Sequence, residues 1–245
     1  MARRARQQYG GRLGPFSLSG IGRPAPRPIP PRSFDPGRIA DLEYQAWTGY
    51  YLRDWPQVLT AVVKLVREGF GMDWYRTLHG AWLMMRAAQL WAPIPDNDPD
   101  GARAYMRRFY ALVRLSYGEP ASPVEAARLE IDWWRAHREV QYSMAPAATD
   151  DDLVEAVTRL YSYLYREPAA EVRSAAEGRV RAMHLSDQWV REGCQPGSPL
   201  LPELRAALVR CYATLLAAVH HGPAGYAVPE PPGGGASRPP GGGAP

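Results

Sequence analysis

Punctuation constrains this chain more than any single residue does. Asp35-Pro36, Asp98-Pro99, Ser122-Pro123 and Ser198-Pro199 each set a capping side chain before a proline. At the first helical position proline's missing N–H costs nothing, and an Asp or Ser ahead of it accepts from the orphan amides of the first turn. Ser122-Pro-Val-Glu125 also has the form of a capping box. Stops fall at Gly69 with Gly71, at Pro93, Gly118 and Gly193, and at Gly222-Pro223.

Between these marks apolar residues recur every three to four positions, as in Leu153, Val157, Leu160, Leu164 and in Leu204, Leu208, Cys211, Leu215. No stretch alternates with the period of a strand. The chain is therefore expected to be all-α, with about eight helices near 36–53, 56–68, 74–92, 99–117, 123–143, 151–166, 169–192 and 199–221. With no repeat of fixed period, a single irregular multi-helix bundle is expected rather than a solenoid.

Charge divides the chain differently. Residues 1–34 hold Arg3, Arg4, Arg6, Arg12, Arg23, Arg27 and Arg32 and no acid, whereas residues 35–221 hold 21 basic and 24 acidic residues. The net charge of +4 is thus a property of the tail, and the body is mildly acidic. Proline-dense residues 23–36 favour extended geometry, and the Gly/Pro runs of 222–245 cannot bury enough apolar surface to order themselves. The organisation expected is a disordered basic Pro/Arg-rich tail over 1–34, a helical domain over 35–221 and a disordered Pro/Gly-rich tail over 222–245. Lys64 is the single lysine beside 28 arginines, a usage that GC-rich codons produce without selection for charge.

Cys194 and Cys211 form no CxxC, so a reducing, cytoplasmic setting is expected rather than a disulfide framework. No apolar run approaches the ~20 residues of a membrane span. The basic N-terminus lacks the apolar core of a secretory signal.

Few constellations carry chemistry. Glu130 precedes His137 by seven residues and Glu177 precedes His184 by seven, with Asp187 three further on. Seven residues put two side chains on one helix face but ~10.5 Å apart, so a metal or polar pocket built from Glu130, His137, Glu177, His184 and Asp187 needs two helices brought together. Asp151-Asp152-Leu-Val-Glu155 resembles the aspartate-rich motif of class I terpene synthases over five residues, which would imply magnesium and a diphosphate. No second motif of that family follows it, and three aspartates at a helix N-terminus are explained by the macrodipole. Asp96 to Gly101 starts like a calcium loop, but its twelfth position is Arg107, not a bidentate Glu. No specific motif implies a cofactor.

All eight tryptophans lie between Trp47 and Trp189. Trp133 and Trp134 diverge by ~100° on a helix, so one of them is expected at a seam or a partner surface. The helix carrying Trp74, Trp82, Leu83, Met84 and Met85 reads as core, which disfavours sequence-specific DNA binding by the folded body.

Two expectations follow. The first is a non-catalytic protein-interaction or scaffold domain, binding a protein partner or its own copy through Trp133 or Trp134. Its seven N-terminal arginines would hold an acidic partner. The alternative is an all-α enzyme or ligand carrier with an aromatic-lined pocket whose polar end is the His/carboxylate set.

Overall fold

The computed structural model describes residues 31–142 and 149–220. Within them are eight helices and no strand: α1 Pro36–Leu52, α2 Trp55–Phe70, α3 Trp74–Trp91, α4 Pro99–Tyr117, α5 Pro123–Gln141, α6 Asp150–Tyr165, α7 Ala169–Arg191 and α8 Leu200–Val219.

The caps follow the chemistry of the sequence with one exception. Asp35, Asp54, Asp73 and Asp98 each accept from the amide three residues on, at 2.8–3.1 Å. Gly71 and Gly118 end α2 and α4 in the left-handed region, where a Cβ would be strained. Ser122 caps α5, but its own amide goes to Tyr163 Oη while Glu125 pairs with Arg128, so the expected capping box is half made. The complete box is Thr149 with Asp152, at the start of α6. At α8 Pro199 is already helical, and Ser198 Oγ ahead of it accepts from the Leu200 amide at 3.3 Å, the start the sequence announces.

Each helix packs on its neighbours in sequence and α8 closes on α1, a ring whose thinnest seam is α2 against α3. Short connections make successive helices antiparallel, which gives this up-and-down order. Three clusters fill the ring. Leu83, Met106, Phe109, Val113 and Ile131 pack between α3, α4 and α5. Leu153, Val172, Val180, Met183 and Leu215 join α6, α7 and α8. Ala40, Ala182, Leu204 and Leu208 fasten α1 onto α7 and α8. Where α7 crosses α8, a Cβ on Gly178 would lie 3.2 Å from the Cys211 Cα, tighter than an ordinary contact, so a larger residue there would push the two helices apart by a few tenths of an ångström.

The tryptophan pair of α5 meets the seam half of the expectation and not the partner-surface half. Trp134 enters the α3–α5 cluster and Trp133 the α6–α8 cluster. Their 100° divergence thus serves two cores from one helix, and neither ring is an exposed interface.

The tail boundary also moves. Arg32, expected to reach an external anion, is 5% exposed. Its guanidinium meets Glu119 at 3.2 Å, Glu167 at 2.9 Å and the Val219 carbonyl at 3.1 Å, and also donates to the Tyr165 carbonyl. The packed body therefore includes Arg32. Arg3, Arg4, Arg6, Arg12, Arg23 and Arg27, and the C-terminal residues 221–245, lie outside the described residues.

Candidate functional site

One buried polar centre joins α1, α7 and α8. Glu43 on α1 and Arg179 on α7 form a buried, two-pronged ion pair, with Arg179 Nη1 3.1 Å from Glu43 Oε2 and Nη2 on Oε1. Tyr212 Oη donates to the same carboxylate, and the Trp47 and Trp133 rings stand 5.8 and 5.4 Å from the guanidinium carbon. Burial works against the Arg179 charge, yet the facing Glu43 carboxylate holds its pKa well above the ordinary guanidinium range. Around it, burial pushes Tyr165 up to about 12 and the Cys211 thiol up to about 11. These groups stay protonated at neutral pH, and the centre ties α1, α7 and α8 together without offering an acid or base poised to act.

The five candidate pocket residues fall into three separate places. Glu130 is inside, accepting from Tyr110 Oη at 2.7 Å and Trp134 Nε1 at 3.0 Å; burial raises its pKa, which those two hydrogen bonds oppose. His137 Nε2 lies 3.0 Å from Asp187 Oδ2, and Gln141 donates to the other Asp187 oxygen at 2.7 Å. His184 and Glu177 line a shallow groove between α6 and α7, where His184 Nε2 sits 3.1 Å from Asp150 Oδ1 and Glu177 pairs with Arg173. The helices α5 and α7 join His137 to Asp187 but do not gather the set. Among the described residues no three His, Cys, Asp or Glu side chains converge as a metal site.

What the structure does expose is the outward face of α3. Trp74, Tyr75, Leu78 and Trp82 are 58, 79, 56 and 49% exposed. Their spacing of three and four residues places them on one stripe. The rings of Tyr75, His79, Trp82 and then Tyr105 of α4 follow one another at centroid distances of 6.3, 6.2 and 5.6 Å. Arg67 covers the Trp74 ring at 4.2 Å, and Arg86 and Arg108 approach Tyr105 at 5.7 and 5.5 Å. None of these three arginines has a carboxylate partner among the described residues.

The reading of Trp74 and Trp82 as core is thus corrected. A helix apolar on every side would be buried in a large protein. Here Thr77, Gly80, Ala81, Leu83 and Ala87 already fill the inward side, and a ring of single helices has no second layer to cover the rest. One sequence signal marks this face: residues 74–95 contain no acid. Residues 55–118 carry eight basic and five acidic side chains, net +3, whereas 119–220 carry 11 and 15, net −4. The mildly acidic body has a basic, aromatic side.

Compared with protein-family models, curated proteins and solved structures, the chain matches none.

Proposed function

We propose that this chain is a non-catalytic docking module that engages an acidic partner through the outward face of α3. The observation that carries this reading is the stripe of Trp74, Tyr75, Leu78 and Trp82, exposed on a helix that has no acidic residue and is flanked by unneutralised arginines. Contiguous apolar surface of this kind marks interaction sites, and Trp, Tyr and Arg are the residues that concentrate binding energy. The scattering of Glu130, His137, Glu177, His184 and Asp187 over three places removes support from a pocket-based enzyme or carrier.

The test is the size distribution of the full-length protein in a gentle extract of its own cells. Wild type is expected in large assemblies or particulate fractions. A Tyr75→Ser/Leu78→Ser/Trp82→Ser variant is expected to migrate as the free 27.2 kDa chain with unchanged helicity. Identical migration of the two refutes the reading.

A further inference from the structure

Resting on that reading, we propose that the acidic partner is the anionic surface of a lipid bilayer, which α3 meets lying flat. Its exposed residues are those that sit at a membrane interface: Trp and Tyr, with an apolar body and a polar tip, around Leu78. Arg67, Arg86 and Arg108 flank them with their charge uncompensated. No helix among the described residues is long and apolar enough to cross a membrane, so contact of this kind is peripheral.

The point where the basic N-terminal sequence joins the body lies at the same end of the bundle. Tyr117 Oη at the end of α4 donates to the Phe70 carbonyl at the end of α2, two residues before the Met72-Asp73 turn that leads into Trp74. Arg38 at the start of α1 pairs with Glu68 at 2.7 Å, and Arg32 is fastened to Glu119 just beyond α4. The chain therefore leaves Pro31 at the end where the aromatic stripe begins. Residues 1–30, which join the body at Pro31, hold six arginines and no acid. Peripheral attachment that persists needs two signals, an apolar insertion and basic charge; the α3 stripe offers the first and Arg67, Arg86 and Arg108 beside it the second, to which the sequence before Pro31 adds six arginines.

Two other partners fit less well. Nucleic-acid bases need open ring faces on which to stack, whereas Arg67 covers Trp74, two arginines approach Tyr105, and Trp82 meets Tyr105 nearly edge-on at 79°. A second copy using the same face would bring like charges together. A bilayer needs no groove and no matching shape, and neither the α6–α7 groove nor the one between α5 and α6 runs beside α3.

The experiment is co-sedimentation of the full chain with vesicles of phosphatidylcholine alone, or with about 30% phosphatidylserine, alongside a single-stranded oligonucleotide of about 20 residues. Binding is expected on the anionic vesicles, weaker in high salt, and at least tenfold weaker on neutral ones. Tyr75→Ser alone should weaken it measurably, and the triple Tyr75→Ser/Leu78→Ser/Trp82→Ser variant at least tenfold. Changing Arg3, Arg4, Arg6, Arg12, Arg23 and Arg27 to Ser should also cost at least tenfold. The proposal is overturned if wild type ignores anionic vesicles, if the α3 variants bind them as wild type does, or if only the oligonucleotide binds in an α3-dependent way. Should vesicles fail while assemblies in the extract still depend on α3, docking stands and the bilayer is excluded. Should neither depend on α3, both readings fall.

Discussion

Removing both halves of the Glu43–Arg179 pair should cost far less than the sum of removing each. In Glu43→Leu, Arg179 keeps its charge between Trp47 and Trp133 with no carboxylate hydrogen-bonded to it, and only the Tyr212 hydroxyl stays within reach. A buried charge stripped of its partner costs about 3–5 kcal/mol, a large part of the ~5–15 kcal/mol that holds a domain folded. Arg179→Met leaves the mirror problem: Glu43 is then held by Tyr212 alone. In Glu43→Leu/Arg179→Met no charge remains, and the cost falls to the unsatisfied Tyr212 hydroxyl and imperfect packing, about 2–4 kcal/mol. The singles sum to roughly 6–10 kcal/mol on the same basis, so the coupling should reach at least about 2 kcal/mol. Urea unfolding followed by far-UV circular dichroism at neutral pH measures all four corners of the cycle. Singles costing under about 1 kcal/mol, or a double mutant equal to their sum, would refute the assignment of this pair as a desolvated unit.

Arg32→Ala should destabilise by about 2–4 kcal/mol, because Glu119 and Glu167 lose their cation and two helix-end carbonyls lose a donor; a thermal midpoint unchanged from wild type would contradict the buried placement. Gly178→Ala should cost about 1–3 kcal/mol by forcing α7 from α8 at Cys211, read as a lowered urea midpoint at constant slope. The pH dependence of Glu130 has a definite sign. Burial raises its folded pKa above the unfolded value, so ionising it penalises the folded state. That penalty is absent below the unfolded pKa and complete above the folded one. Glu130→Gln should therefore gain stability relative to wild type as pH rises from acid to neutral, and a constant difference across that range would count against the reading. With its pKa pushed up to about 11 by burial, Cys211 should resist a thiol reagent in the native protein and react only on unfolding; rapid native labelling at Cys211 would refute its placement.

Local chemistry made the helices legible. Asp35, Asp98 and Ser122 before prolines, and Gly71 and Gly118 after apolar runs, act within one turn of the backbone, so their effect is readable without any tertiary contact. All eight helices lie within two residues of the expected bounds for that reason. The sites were not legible, because periodicity says that a residue lies on a face but not which neighbour covers it. Trp74 and Trp82 have the same apolar character as Leu83, yet Leu83 is buried and they are not; the single-layered ring of helices decides that. Trp133 and Trp134 looked available for a partner until α5 was seen to sit between two clusters, each needing a ring. Arg32 and its carboxylates Glu119 and Glu167 are 87 and 135 residues apart, a pairing no window along the chain reports. The sequence by itself determined where each helix starts and stops, since caps and breakers act on adjacent backbone. Only the tertiary structure decided which apolar faces remain uncovered and which charges are buried, since both depend on what packs alongside.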